Sequence, residues 1–202
     1  MGHVLVRGTG GGPLLSCCTG EDMETNRKSD KAVIVVDMQK DNVGRFCREV
    51  TPKIRLLIDR AREKDVPVIF ACDSRYPGDF LFTRLGLPLR DIRGTEGAKV
   101  IAELDPRPTD FIIEKRMLSG FFQSDLDFTL RQLGSRTLFI TGQATGGCVL
   151  KTAMDAFELG YEVVVPADCC ASLSAEDHEW ALHYFRRWNM LKPTVEETIA
   201  LL

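Results

Sequence analysis

A cysteine stands where a strand-like segment turns into a helix. The apolar run Leu138–Thr141 is followed by the small residues from Gly142 to Gly147, and then by Cys148. A helix N-terminus lowers the pKa of a cysteine, and the unpaired N–H groups of its first turn can receive an oxyanion. The segment therefore predicts a nucleophilic thiol beside an oxyanion hole. Taken alone, Cys148 is equally well interpreted as a small buried hydrophobic residue.

Two more reactive side chains follow apolar runs of strand length. Asp37 comes directly after Ala32–Val36, and Lys115 comes directly after Asp110–Glu114. The carboxyl ends of parallel strands meet at one edge of a sheet, where ligands bind. Each side chain also has an ordinary structural role: Asp37 as a cap, Lys115 as a solvated charge, Cys148 as core. A shared site is favoured because the three stand at three strand ends.

The proton acceptor for the thiol is the next question. The chain has three histidines, His3, His178 and His183, and the last two are five residues apart on one predicted helix, so they do not share a face. A cysteine–histidine pair thus has no obvious base, although a helix residue reaching over the sheet edge stays open. The Asp37 carboxylate is the better candidate, with Lys115 favouring the thiolate.

These residues require a particular fold. From residue 31 the chain alternates apolar β-branched runs with helical patterns, which indicates a mostly parallel sheet covered on both faces. We predict one α/β domain over residues 31–202, a three-layer sandwich with about six strands. The predicted strands are Ala32–Val36, Pro67–Cys72, Asp110–Glu114, Thr137–Thr141, Tyr161–Val165 and a short one near Met190–Lys192. The predicted helices begin at Thr51, with Pro52 in the first turn, at Ser124, at about Gly147 and at Ser174.

Composition narrows the class of protein. The 202 residues, 44% of them hydrophobic, suffice for one domain with a full core. A net charge of -3 gives no electrostatic reason for binding nucleic acid or an anionic membrane, and no apolar run is long enough to span a bilayer. Seven cysteines without a C-x-x-C pair favour a reducing cytoplasm over a disulfide framework. Residues 1–30 are rich in glycine and polar residues, which predicts a flexible arm without a secretory signal.

Three motifs in this chain resemble those of a known superfamily. Val35–Gln39 resembles a strand ending in D-x-Q, Lys115–Phe121 resembles K-x-x-x-S-x-F, and Gly142–Val149 resembles G-x-x-T-x-x-C-V. All three belong to the isochorismatase-like cysteine hydrolases, which include nicotinamidases, N-carbamoylsarcosine amidohydrolase, maleamate amidohydrolases and ureidoacrylate amidohydrolases. The resemblance runs from about residue 32 to the C-terminus.

The resemblance implies a mechanism without a cofactor. Asp37 would be the base, Lys115 its electrostatic partner and Cys148 the nucleophile, with the backbone N–H groups of Ala144 and Cys148 as the oxyanion hole. It also implies a cis peptide between Gln143 and Ala144. Attack on an amide or carbamoyl carbon would release ammonia or an amine and leave a thioester. Members that hydrolyse isochorismate generally lack the cysteine, so amide chemistry is expected. The resemblance also implies a homo-oligomer that acts on a small molecule.

The chain departs from nicotinamidases at their metal site. Those enzymes carry Asp-x-His after the second strand and another His before a Gly-Thr pair. Here the matching stretches read Asp73-Ser74-Arg75 and Arg90-Asp91-Ile92-Arg93-Gly94-Thr95, with arginines in place of the histidines. We therefore expect no metal. An aromatic residue is also replaced, by Asn42, which disfavours nicotinamide as the substrate.

The same arginines suggest a different substrate. Arg75 and Arg90 could receive a substrate carboxylate, or they could be exposed loop residues paired with Asp79 or Asp91. The segment from residue 73 to 96 is the expected pocket wall or lid. The predicted substrate-binding set is completed by one residue from each motif: Gln39, Phe121 and Thr145. Phe121 could equally belong to the core.

Two functions of another class stay open. A non-catalytic binding protein on this fold would make no use of the thiol. A redox sensor would use Cys148 or the adjacent pair Cys169 and Cys170, although adjacent cysteines form strained disulfides poorly.

Overall fold

The computed structural model describes residues 28–192 and 194–202, which form a parallel sheet between two layers of helices. This confirms the predicted three-layer α/β fold. The seven strands of the described residues are β1 (Lys31–Val36), β2 (Val68–Asp73), β3 (Phe111–Lys115), β4 (Thr137–Gln143), β5 (Glu162–Pro166), β6 (Cys170–Ala171) and β7 (Leu191–Lys192). Their spatial order is β3-β2-β1-β4-β5-β7, with β6 beside β4, and every pair is parallel.

Helices cover both faces of this sheet. They are α1 (Arg45–Glu63), α2 (Phe80–Thr83), α3 (Leu126–Leu133), α4 (Leu150–Glu158), α5 (Ala175–Arg187) and α6 (Val195–Ile199), with 3₁₀ turns at Ala102–Leu104 and Ala167–Cys169. One apolar cluster joins α3, α4 and α5 to the first face, and another joins α1 and α6 to the second. Because both faces are covered, the central strand β1 is apolar and fully buried from residue 32 to residue 36.

Helix α1 begins earlier than the sequence predicted. It starts at Arg45 rather than at Thr51, and Pro52 lies inside it. Proline is common in a first turn, which is why the sequence pattern pointed there, but here the helix continues through it at the loss of one backbone hydrogen bond. The Thr51 hydroxyl donates to the Cys47 carbonyl at 2.8 Å within the same turn. The apolar face of the helix, including Ile54, then packs on the sheet.

The predicted N-terminal arm comprises residues 1–30, and residues 1–27 of it lie outside the described residues. The last three residues of that range are described, and two of them are hydrogen-bonded to the end of α3 and the start of β4. Ser29 N–H donates to the Leu133 carbonyl at 2.9 Å, and the Asp30 carbonyl accepts from the N–H groups of Arg136 and Thr137 at 2.7 and 2.9 Å. Within the described ranges, no helix has the length and apolarity needed to cross a membrane.

Candidate active site

Strand register brings four strand ends together. In the sheet, β1 lies between β2 and β4, and Val36 of β1 pairs with Ala71 and Gly142. Asp73, the last residue of β2, pairs with Lys115, the last residue of β3. Asp37 follows β1 directly, so it lies at the same edge as these two side chains. The edge therefore collects charged groups from three neighbouring strands.

Lys115 is the centre of this cluster. Its side chain is fully buried, and its Nζ lies 2.8 Å from Asp37 Oδ2 and 2.6 Å from Asp73 Oδ1. It also donates to the Met117 carbonyl at 3.2 Å. Burial alone disfavours the ammonium, but the carboxylates and the nearby Cys148 side chain outweigh it and raise the pKa of Lys115. The lysine is therefore a permanent positive charge.

A second cation balances the second carboxylate. Arg75 is buried and donates from Nε and Nη2 to Asp73 Oδ2, at 3.2 and 2.6 Å. With Asp37 and Lys115, the cluster holds two carboxylates and two cations. Unpaired charges of this kind are costly in a protein interior, whereas this set is electrically balanced. The outer guanidinium nitrogen donates to the Arg116 carbonyl at 3.3 Å.

The carboxylate of Asp37 is held in an unusual backbone conformation. Its φ is 52°, in the left-handed region that aspartate tolerates better than most residues. Its Oδ1 accepts from the Asp73 N–H at 3.1 Å, and Asp37 lines the same pocket as Cys148. Burial raises the pKa of Asp37 to about 6, against the lowering effect of Lys115. Asp37 is thus mostly ionised at neutral pH.

Cys148 differs from the sequence expectation in the direction of its pKa. The residue is 9% exposed, and burial raises the pKa of its thiol, as does the charge of Asp37. Lys115 opposes these effects without overcoming them. The expectation of a low pKa came from the helix N-terminus, but the surrounding apolar core and the neighbouring carboxylates dominate. At neutral pH the pair is therefore a protonated thiol beside an ionised carboxylate.

The turn that leads to Cys148 is built from unusual backbone. The peptide bond between Gln143 and Ala144 is cis, and Thr145–Val149 forms a π-type turn that runs into α4. The Ala144 carbonyl accepts from the Val149 N–H at 3.2 Å. Gly142 comes so close to β1 that a Cβ there would lie 2.2 Å from a Val36 backbone oxygen, so only glycine fits.

Gln143 and Gln39 brace the two sides of this edge. The Gln143 amide donates to the Asp37 carbonyl at 2.9 Å, and its oxygen accepts from the Cys47 thiol. The Gln39 amide bonds in both directions to the backbone of Asp73, at 2.7 and 2.8 Å, and also donates to the Ala98 carbonyl. Both glutamines therefore position the acidic residues.

A pocket of about 210 Å³ opens onto Cys148. Its floor includes Asp37, Ala144 and Gly147, and its wall is mostly apolar. The wall residues are Asn42, Arg75, Leu81, Phe82, Leu87, Arg90, Leu118 and Leu173. A larger cavity of about 420 Å³ lies on the far side of Asp73, near Ser74 and Glu114, but Cys148 does not line it. The smaller pocket is the candidate active site because it contains the thiol.

Two of the five predicted substrate-binding residues line the pocket. Arg75 and Arg90 both line the pocket, but Arg75 is paired with Asp73, whereas no carboxylate of the described chain lies within ion-pairing distance of Arg90. Phe121 packs against Tyr161, with ring centroids 5.8 Å apart. Gln39, Phe121 and Thr145 do not line this pocket.

Thr145 instead contacts a histidine from α5. Its Oγ1 lies 2.8 Å from His178 Nδ1, and burial lowers the pKa of that histidine. His178 thus reaches the turn that leads to Cys148, while Asp37 lines the pocket together with the thiol. The sequence left open a histidine reaching over this edge, and it is Thr145 that His178 contacts.

Asp73 is a site residue that the sequence analysis did not assign to Lys115. It follows a buried strand in the same way as Asp37, which was the available signal, but its pairing with Lys115 depends on strand register. Asp73 has one oxygen on Lys115 and the other on Arg75. These cations occupy the carboxylate that would have to bind a metal, and no group of three or more potential ligands among the described residues is arranged to hold one. The residues present therefore do not fit the metal of the nicotinamidases.

The other described thiols do not line this pocket and lie in the core. Cys47, Cys72, Cys169 and Cys170 are unpaired and buried. Burial raises the pKa of Cys169, and it raises that of Cys170 to about 12. Because Cys169 is 0% exposed and Cys170 is 2% exposed, an oxidant reaches them poorly, so this adjacent pair is poorly suited to sensing.

Comparison with known proteins identifies the family of this chain. The isochorismatase domain model matches residues 31–196, and the chain belongs to the isochorismatase family. It is 35% identical over 191 residues to a ureidoacrylate amidohydrolase of Stutzerimonas stutzeri, covering 78% of this chain and 76% of that protein.

Two solved structures share the fold. An isochorismatase-like hydrolase from Alkaliphilus metalliredigens superposes with a TM-score of 0.80 at 30% identity, covering 86% of this chain and 99% of that one. A pyrazinamidase of Pyrococcus horikoshii in complex with zinc has a TM-score of 0.75 at 29% identity, with 81% and 98% covered. The family thus includes a zinc-bound amidase and amidohydrolases, and the chain is similar to both.

Proposed function

We propose that this protein is a cysteine-dependent amidohydrolase that cleaves a C–N bond of a small amide or carbamoyl compound carrying a carboxylate. The observation that carries the proposal is that Cys148 lines the same pocket as the buried Asp37 carboxylate, which accepts from Lys115 Nζ at 2.8 Å. A protonated thiol beside an ionised base can lose its proton as it attacks.

In the first half of the reaction, Cys148 Sγ attacks the carbonyl carbon and its proton passes to Asp37. The carbonyl oxygen gains the negative charge, and the N–H groups of Ala144 and Cys148 would stabilise it. As the intermediate collapses, the C–N bond breaks and the leaving nitrogen takes the proton from Asp37. Ammonia or an amine leaves, and a thioester on Cys148 remains.

In the second half, water attacks the thioester and gives its proton to Asp37. The C–S bond then breaks, the acid product leaves, and the proton returns to the Cys148 sulfur. Lys115 keeps its charge throughout because its pKa is raised, so it stabilises Asp37 in the ionised form at the start of each half-reaction.

The pocket wall supports the substrate class. Leu81, Phe82 and Leu118 offer apolar contacts to a short carbon chain, and Arg90 adds a guanidinium that has no ion-pair partner among the described residues. A guanidinium binds a carboxylate through two parallel hydrogen bonds. Ureidoacrylate, named for one relative, carries such a carboxylate together with a carbamoyl group. Arg75, bound to Asp73, would instead contribute positive potential behind the pocket.

A substrate panel tests the proposal. Ammonia release is measured for carbamoyl amino acids, ureido acids, dicarboxylic monoamides and neutral amides of matched size, with nicotinamide and isochorismate included. We expect the acidic amides and carbamoyl compounds to have the highest kcat/KM. If nicotinamide proved the best substrate, the nicotinamidase-type alternative would replace this one. Turnover of isochorismate would count against amide chemistry. So would a failure to cleave the C–N bond of every compound in the panel.

A further inference from the structure

The start of α5 contacts the turn that runs from residue 144 to residue 148, which we call the nucleophile turn. Thr145 Oγ1 lies 2.8 Å from Nδ1 of His178, a residue of α5. The next residue of the turn, Gly146, donates from its N–H to the Ser172 hydroxyl at 3.2 Å. Two successive residues of the nucleophile turn are therefore held by α5 and by the segment just before it.

The contact with His178 satisfies a buried hydroxyl group. Thr145 is 0% exposed, and His178 is the one hydrogen-bond partner that the described residues offer to its hydroxyl. Burial lowers the pKa of His178, against the opposing charge of Glu179, so the imidazole is neutral at neutral pH. A neutral imidazole makes one hydrogen bond with the hydroxyl in either tautomer. Ser174 caps α5 by accepting from the Asp177 N–H at 3.1 Å, which fixes the part of the helix that carries His178.

The nucleophile turn needs such an anchor because it contains two adjacent glycines. Gly146 and Gly147 follow Thr145, and Gly147 has φ −122° and ψ −105°, outside the helical region. Glycine has more backbone freedom than any other residue, so these positions do not fix the turn by themselves. They are flanked in sequence by Ala144 and Cys148, whose N–H groups would form the oxyanion hole. A displacement of such donors by about 1 Å can lower a rate by about 100-fold.

We propose that His178 is a positioning residue: by holding the Thr145 hydroxyl, it keeps the N–H groups of the nucleophile turn directed at the developing oxyanion. This role rests on the proposed function, because only attack of Cys148 on a carbonyl carbon creates that oxyanion. His178 does not line the pocket, so its role differs from that of a base or a substrate ligand. Loss of the imidazole should therefore slow the steps that form an oxyanion, while substrate binding and the reactivity of the thiol in other reactions stay the same.

Two reagents that modify Cys148 differently test this role. With p-nitrophenyl acetate, the sulfur bonds to the carbonyl carbon, the thiol proton passes to Asp37, an oxyanion forms and p-nitrophenolate leaves. With iodoacetamide, the sulfur displaces iodide and no oxyanion forms. We expect His178→Ala to slow acylation about 10- to 100-fold and to leave alkylation within about twofold of wild type. For C–N hydrolysis, kcat should fall by a similar factor with little change in KM.

Three further variants serve as controls. Cys148→Ala gives the background from other groups. His183→Ala should behave as wild type, because His183 is exposed on the same helix. His178→Asn places an amide group near the position of Nδ1 and should recover most of the rate. Circular dichroism checks that each variant is folded.

The partner hydroxyl completes the test. Thr145→Val should slow acylation as much as His178→Ala, and the double variant should be no slower than either single one, because both residues act through one hydrogen bond. If His178→Ala does not fold, Thr145→Val makes the same comparison of reagents. The proposal is overturned if acylation slows less than about threefold, if both reagents slow equally, if His178→Asn recovers nothing, or if the two losses multiply. Equal reaction of wild type and Cys148→Ala with both reagents would instead contradict the proposed function, and this role with it.

Discussion

The inner and outer halves of the candidate site are built in opposite ways. In the inner half, Asp37, Asp73 and Lys115 are buried and each has a charged partner within 3 Å. In the outer half, Leu87 is 42% exposed and Arg90 has no ion-pair partner in the described chain. Groups already paired are held in place and suit the reaction, while unpaired groups are free to bind a ligand. We therefore expect variants of the inner half to change rate and stability, and variants of the outer half to change substrate preference.

The largest effect is expected at the nucleophile. Cys148→Ala removes the thiol, and the rate of C–N hydrolysis should fall by about 10³-fold or more, because the loss of a nucleophile removes the covalent route. The fold should persist, as judged by an unchanged circular dichroism spectrum. Cys170→Ala is the control, since that thiol is also buried but does not line the pocket. Activity of Cys148→Ala within tenfold of wild type would contradict its role as nucleophile.

The next largest effect is expected at Lys115, whose ammonium group binds both carboxylates. Lys115→Met keeps much of the side-chain volume but leaves Asp37 and Asp73 buried without this partner, which should cost about 3–5 kcal/mol in the free energy of unfolding. The pKa of the Cys148 thiol should rise further, because Lys115 lowers it. Urea denaturation and the pH dependence of alkylation measure the two changes.

Lys151→Met gives the matched comparison for stability. That lysine is 54% exposed and pairs with Asp155 one turn along α4, so its loss should change the free energy of unfolding by less than about 0.5 kcal/mol. Equal effects of the two substitutions, or an alkylation profile of Lys115→Met identical to wild type, would show that Lys115 is not coupled to the site.

The pH dependence should show the state of the base. Because burial raises the pKa of Asp37 to about 6, kcat/KM should be constant near neutral pH and fall as the pH drops through about 6. The sign follows from the chemistry, since only the ionised carboxylate accepts the thiol proton. Below that pKa the fall should be about tenfold per pH unit. An acid limb near 4, the range of an ordinary aspartate, would argue against a buried base at this position.

Sequence and structure contribute differently to these expectations. The apolar runs before Asp37 and Lys115 sufficed to predict that both reach one sheet edge, because parallel strands of this kind end together. The pairing of Lys115 with Asp73 was not predictable, since it depends on which strands are neighbours and in what register. The sign of the Cys148 pKa shift was also missed, because a helix terminus is visible in sequence but burial by distant segments is not. Pro52 likewise suggested a helix start that packing overrides.

A smaller and more selective effect is expected at the pocket wall. Arg90→Gln should lower kcat/KM for acidic substrates by about 1.5–3 kcal/mol, or roughly 10- to 150-fold, the usual contribution of a charged hydrogen bond. Neutral amides should be nearly unaffected, and so should stability. Arg84→Gln is the control, because Arg84 is exposed at the end of α2 and does not line the pocket. An equal loss for acidic and neutral substrates would remove Arg90 from substrate recognition.

The smallest effect is expected from metal removal, and the contacts in the inner half of the site predict it. Asp73 is the carboxylate at the position of the metal-binding aspartate, and Lys115 and Arg75 hold its two oxygens at 2.6 Å each. A divalent cation would have to displace an ammonium or a guanidinium from a buried pair, which is costly. Exhaustive dialysis against a chelator should therefore leave kcat/KM unchanged, and added zinc or manganese should not raise it. The zinc-bound pyrazinamidase fold is the relevant contrast, because it is so similar overall. Activity lost on chelation and restored by either metal would mean that Arg75 leaves Asp73 in solution, and would favour the nicotinamidase-type alternative.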